Sequence, residues 1–424
     1  MRKSARFSER AAYLYACLLL TVLWLYLPYG GYGRMMEGKY ACFLLLTTAY
    51  LAAESYAARS LGARLAGKLR VMDAAAAAYL GSSALSALLS PYGVHTILGG
   101  TRRDGLLTLA LYVVCFRLLS RHLHPDRALV DLTALSAAAC DVLVLAQLAG
   151  FDPLGLYPEG LNYYDGDAAY AGYFAGTSGN IDFTAFLLAL AVCVLLVAVV
   201  RLRLWALSPV IALTLWTLWR LGVAAAWVGI AFAVVWCPAL LAPRHGKRLL
   251  ILSAALTVAA LLLLRRYGGG SGTLAEASRL LRGEFDGSFG SGRLMIWRDC
   301  MTLVRERPLL GGGPDTLWLR GIEPFAWAPE GTAIPADITA AHNEYLNILV
   351  NQGALALAAY LALLILALAG CYRRAGEPRC AICGMGLLCY AAMAGFSIST
   401  CITAPYVWLL FALCNWYHNI EKRG

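Results

Sequence analysis

Residues 339–353 read Thr-Ala-Ala-His-Asn-Glu-Tyr-Leu-Asn-Ile-Leu-Val-Asn-Gln-Gly, and here a long polar loop gives way to an apolar helix. His342 and Asn343 stand at the junction. Asn343, Asn347 and Asn351 recur every four residues, which puts all three on one helix face. Buried amides cost free energy unless hydrogen-bonded, so in hydrocarbon that face is expected to turn toward protein or a wet cavity. The helix start adds unpaired N–H groups and a partial positive charge, a setting suited to an anion. The stretch reads as the floor of a site for a phosphate-bearing lipid.

On both sides of it the chain is apolar. Hydrophobic residues make up 60% and charged residues 14%, with a mean hydropathy of +0.64, which excludes an ordinary soluble domain. Several apolar runs of 16–23 residues are long enough to cross a hydrocarbon core of ~30 Å as helices. The expected fold is an all-α polytopic membrane protein of about twelve spans. These fall near 11–28, 40–57, 71–90, 105–120, 128–150, 181–200, 204–219, 221–242, 248–266, 343–370, 380–397 and 402–419. Residues 1–266 thus hold spans one to nine, 342–424 hold spans ten to twelve, and 267–341 form a large loop between them.

The charge pattern sets an orientation. With the N-terminus inside, the cytoplasmic segments hold 21 Lys and Arg, against 5 in the short outer segments (Arg34, Lys39, Arg102, Arg103, Arg220) and 9 in the long loop. Both termini are therefore expected in the cytoplasm and the long loop outside. A net charge of +10 spread this way is a topology signal rather than a nucleic-acid surface, and no nucleic-acid partner is expected. The basic start before Ala11–Pro28 lacks a small-x-small cleavage site and reads as an uncleaved first span. The 13 cysteines lack paired metal spacing, Cys380 and Cys383 forming a lone Cys-x-x-Cys, and no metal, cofactor or redox role is expected.

Two outer segments exceed ordinary connectors. Residues 151–180 carry Asp152, Glu159, Asp165 and Asp167 with tyrosines and glycines but no Lys or Arg, so they suit sugar or solvent better than phosphate. The long loop has hinges at Gly268–Gly272 and Gly287–Gly292, with Ser291 as an N-cap before a helix from Arg293 to Glu306. Leu294, Trp297, Met301 and Val304 are expected to form its apolar stripe, and Pro308 with Gly311-Gly-Gly-Pro314 to end it. A loop of this length with helices of its own is usually functional.

Five groups could carry chemistry. Arg220, at the outer end of the seventh span beside Trp216 and Trp219, is either a snorkelling interfacial residue or a guanidinium aimed at phosphate. Arg293, at a helix start after a hinge, could be delivered to the same cavity. His342, expected near its ordinary pKa, could accept a hydroxyl proton or, charged, hold phosphate. Glu344 and Asp337 are carboxylates close enough in sequence to serve as the base instead. Asp141, in the middle of the fifth span, reads as an internally hydrogen-bonded acid or a proton relay.

Together these features resemble the bacterial O-antigen ligase and polymerase superfamily of membrane glycosyltransferases. The resemblance rests on His342, Asn343, Tyr345, Leu346, Leu349 and Gly353, and on Gly292, Arg293, Trp297, Pro308, Gly311 and Gly313. It also rests on Arg220 after a span and on Gly179-Asn180-Ile-Asp182, close to the family's Gly-Asn-x-Asn. It covers about residues 170–370. At the Arg220 position the family has Ser-Arg-Gly or Ser-Arg-Ala, whereas this chain has Trp219-Arg220-Leu221. The resemblance implies transfer of a glycan from an undecaprenyl diphosphate carrier, without a metal, to a glycan or lipid acceptor such as lipid A core. The reaction would take place at the outer face of the cytoplasmic (inner) membrane. It assigns the donor diphosphate to Arg220 and Arg293, the scissile bond to His342, and leaves Asn343, Asn347, Glu344 and Asp337 as supporting residues. The rival expectations are a transporter or lipid-glycan flippase depending on Asp141, and a peptidoglycan glycosyltransferase of the rod-shape or division type depending on an outer-loop carboxylate.

Overall fold

The computed structural model describes residues 2–27, 32–58, 69–157, 175–287, 289–290, 292–322, 326–327, 333–334 and 338–417, with positions 62 and 65. The principal helices are α1 (Arg2–Leu18, continued by a π turn through Leu23), α2 (Met35–Ala58), α3 (Val71–Leu88), α4 (Leu106–His122) and α5 (Arg127–Leu148). Next come α6 (Ile181–Leu202), α7 (Ser208–Leu221), α8 (Ala224–Trp236) and α9 (Gly246–Arg265). Then follow α10 (Thr273–Arg282), α11 (Arg293–Glu306), α12 (Glu344–Arg373), α13 (Pro378–Met393) and α14 (Ala404–Tyr417). A helix satisfies its backbone within one segment, which is why apolar sequence destined for lipid takes this form.

Among the described residues, α2, α3, α5, α6, α9 and α12 are long and apolar enough to cross a membrane. Helices α8, α13 and α14 are apolar but shorter, so length and composition alone qualify six spans where twelve were expected. Physical breaks account for part of the difference: Gly222 is left-handed after α7, and Pro238 follows α8. The only strands described are a two-residue antiparallel pair in the long loop, with Ala326 opposite Ile334.

Helix α6 is the centre of the bundle and α9 its margin. The apolar window of α6 is 83% buried, that of α9 only 6%, so α9 keeps its leucines for lipid. Around α6 pack α5, α7, α8 and α13, while α12 lies along α3 and α14 along α4. Phe116, Phe186, Tyr390 and Phe411 are fully buried between these layers. Lys39, expected in an outer segment, instead lies in α2 and is fully buried. Its Nζ donates to the Leu23 and Trp24 carbonyls at 2.8 and 2.7 Å, capping the end of the α1 segment.

The loop between α9 and α12 has a small core of its own. Ile296, Cys300 and Val304 of α11 pack with Leu317, Ala341 and Val350. This buried face differs from the expected stripe: Met301 is exposed, and Ile296 and Cys300 take the inward positions. The N-cap of α11 is Gly292 in a left-handed conformation; Ser291 lies outside the described residues.

Candidate functional site

The site forms where three segments are fastened to the residues around the start of α12 and a fourth faces Arg293. The first fastening is Trp297 of α11, whose Nε1 donates to the Ala341 carbonyl at 2.8 Å. That bond ties the helix beginning with Arg293 to the residue preceding His342. The second is the Gly311–Thr316 turn. Gly312 N and Gly313 N donate to the Val350 and Asn351 carbonyls at 3.2 and 2.7 Å, and Thr316 N donates to Asn351 Oδ1 at 3.0 Å. Gly353 (φ +83°) opens α12 to receive this turn, because any Cβ there would overlap the Leu309 carbonyl.

The third fastening brings in the loop between α3 and α4. Asp315, itself left-handed (φ 52°), accepts from Gly100 N at 2.7 Å and Asp104 N at 3.2 Å. Burial pushes the Asp315 carboxyl up, against the opposing pull of those two amides. Held this way, the loop extends Arg102, whose Nε donates to Thr339 Oγ1 at 2.9 Å, three residues before His342. The fourth segment is the start of α6, where Asn180 caps the helix and Asp182 faces Arg293 with Oδ2 3.6 Å from Nη2.

His342 sits at the centre of these segments in a left-handed conformation (φ 49°). Its imidazole is held down to about 3, first by burial and then by the positive charges of Arg102 and Arg293. An imidazole near its ordinary pKa was expected; this one is neutral across the physiological range. A neutral imidazole can accept a proton, whereas direct ion pairing to phosphate is unavailable to it.

The asparagine stripe does different work from that expected. Asn343 Oδ1 caps α12 by accepting from Leu346 N at 3.0 Å. Asn347 Oδ1 accepts from Ala341 N at 3.2 Å, and Asn351 Nδ2 donates to the Asn347 carbonyl at 3.0 Å. These amides brace the loops rather than line an open floor. The first amide of α12 is also taken, since Glu344 N donates to the Ala394 carbonyl at 2.8 Å. Glu344 is engaged by Ser399, its carboxylate accepting from Ser399 N at 2.8 Å and Ser399 Oγ at 2.6 Å. Asp337, Glu159, Asp165 and Asp167 lie outside the described residues.

Arg220 makes none of these fastenings. It is exposed in the last turn of α7, and Trp216 and Trp219 beside it are exposed with ring centroids 4.9 Å apart, as in an interfacial belt. Helix α7 packs against α6, but its 14 residues rise about 21 Å against about 33 Å for the 22 of α6. Among the described residues no hydrogen bond or ion pair links Arg220 to His342 or Arg293. Asp141 accepts from Thr214 Oγ1 at 2.6 Å, the internally bonded arrangement of its two readings.

Sequence reasoning missed Arg102 and Asp182 as members of the group. Arg102 had no motif around it; the signal for Asp182 was the capped start of α6, noted only as a pattern. Residues 209–361 match the family model described as O-antigen ligase, a range that takes in Arg220, Arg293 and His342 and leaves out Arg102 and Asp182. No curated protein matches the chain.

Proposed function

We propose that this chain is a membrane glycan-transferring enzyme of the O-antigen ligase and polymerase superfamily, a reading supported by the match of residues 209–361 to the O-antigen ligase model. The donor is a glycan on an undecaprenyl diphosphate carrier, the acceptor a glycan or lipid such as lipid A core or a growing polysaccharide. The reaction takes place at the outer face of the cytoplasmic membrane, with the 267–341 loop and the start of α12 on that side. With twelve spans, the 21 to 5 distribution of basic residues supports an orientation with both termini cytoplasmic.

One observation carries this reading. Arg102 and Arg293 act together on a neutral His342, and both Arg293 and His342 fall in the region matched to the O-antigen ligase family. In transfer the bond from the sugar's anomeric carbon to the phosphate oxygen breaks, and negative charge grows on the leaving diphosphate. Two fixed guanidiniums stabilise that charge where it develops, and being present before reaction they need no reorganisation. The acceptor oxygen bonds to the anomeric carbon, and its proton passes to the uncharged imidazole of His342. Arg220 enters on the family resemblance, as a further grip on the diphosphate from the end of α7. The charge stabilisation comes from side chains, so transfer proceeds without a metal ion or cofactor.

The test is transfer in membranes supplied with carrier-linked glycan. Arg293→Ala, His342→Ala and Arg220→Ala are each expected to abolish transfer with membrane insertion intact, and chelation with EDTA to leave the wild type unaffected. Transfer retained by all three variants would sink the reading. Loss in Asp337→Ala with His342→Ala still active would favour the rod-shape or division type instead.

A further inference from the structure

Asp182 is a carboxylate placed where an anionic donor must enter, and the proposed transfer gives it no part. Its Oδ2 lies 3.6 Å from Arg293 Nη2, wider than the roughly 2.7–2.9 Å of a charge-assisted hydrogen bond. The two side chains are 37% and 27% exposed, so water and ligand both reach the pair. Arg293 is not the only group that favours the Asp182 carboxylate. Asp182 lies in the first turn of α6, where the helix favours negative charge, and its own N–H donates to Asn180 Oδ1 at 2.7 Å. Arg102 also acts on it, so the resting site sets one carboxylate between two guanidiniums.

We propose that Asp182 is the resting counter-ion of Arg293, holding that guanidinium at the mouth of the site until the donor's diphosphate displaces it. This rests on the donor reading above and adds a competitor to it. An arriving diphosphate takes over Arg293 and meets like charge at Asp182, so part of its binding energy goes into breaking the resting pair. Asp182 is thus a positioning residue that sets donor affinity.

The experiment measures binding of undecaprenyl diphosphate, bearing no glycan, to the full chain in nanodiscs. Asp182→Asn is expected to tighten binding roughly two- to fivefold, the range for a partly exposed pair, and Asp182→Glu to leave it near wild type. In steady-state transfer the change belongs in the donor KM, with kcat moving less. Unchanged or weaker binding in Asp182→Asn overturns the proposal. So does a fall in kcat of about a hundredfold or more at constant affinity, which would make Asp182 the general base. Asp182→Ser serves as the second neutral variant if Asp182→Asn fails to fold. Arg293→Ala keeps the two levels apart: if it binds the probe as wild type does, the donor reading itself fails, whatever Asp182 does.

Discussion

At the scale of single residues, the neutral imidazole of His342 makes the sharpest claims. A free histidine titrates near 6.5, and His342 in the fold near 3. Between those values the unfolded chain binds a proton that the folded chain refuses. The stability that comes from keeping the ring uncharged is therefore present above pH 6.5 and is lost as pH falls toward 3. Thermal unfolding of the detergent-solubilised protein should show the midpoint dropping below pH 6.5, and His342→Gln should flatten that drop; parallel curves would refute the assignment. Two of the three causes of the depression are Arg102 and Arg293, and a bound diphosphate offsets both. Donor binding at pH 5.5 should accordingly take up more protons in wild type than in His342→Gln, read by titration calorimetry in two buffers of different ionisation enthalpy. Equal uptake would mean that the arginines do not govern the ring. Asn351 makes a plainer case. Replacing it by Leu leaves Thr316 N–H, in a fully buried residue, without its partner, and should cost about 1–3 kcal/mol in unfolding free energy.

At the scale of elements, α12 is two helices serving two purposes. The segment before Gly353 carries the site, and the twenty residues after it, Ala354–Arg373, rise about 30 Å, a full membrane thickness. The loop fills the notch between them, with Ala354 N donating to the Pro308 carbonyl at 2.9 Å. Gly353→Ala is therefore expected to fail twice, once through its φ of +83° and once through the Leu309 carbonyl that a Cβ would overlap. Gly150 has a similar φ of +85° and open space around it, so Gly150→Ala isolates the backbone cost of about 1–2 kcal/mol. Gly353→Ala should lower the unfolding midpoint well beyond Gly150→Ala and remove transfer; equal shifts would show that the notch bears no load. The same notch shows what could be read beforehand. His342 and Arg293 lie in short local patterns, and those patterns are legible in one chain, whereas the break at Gly353 falls inside a span expected to run unbroken over 343–370. Arg102 reaches the site only because Asp315, more than two hundred residues away, binds the amides of its loop. The buried face of α11 turned out as Ile296, Cys300 and Val304 because Trp297 is tied to Ala341, a contact that no periodicity encodes.

For the whole molecule, the arrangement of helices and the chemistry must agree on a direction. The group around His342 draws on the loop before α4, the start of α6, the start of α11 and the start of α12, and all of these stand at one end of the bundle. The opposite end carries the basic segments 243–248 and 371–379, in keeping with the charge asymmetry. A donor whose diphosphate sits at one membrane face can meet His342 from one side only, so orientation is a condition of the proposed reaction. The native cysteines allow a direct test, because those described are buried apart from the half-buried Cys17, and the background of labelling should be low. Glu284, exposed in the loop after α10, and His245, exposed before α9, sit on opposite sides in this arrangement. In intact cells Glu284→Cys should react with a membrane-impermeant maleimide, and His245→Cys only after permeabilisation. The reverse pattern would put the arginines and His342 on the cytoplasmic face, where the loop could not act on a glycan presented outside. Labelling of both in intact cells would mean that α9 does not cross the bilayer, leaving the site without its boundary.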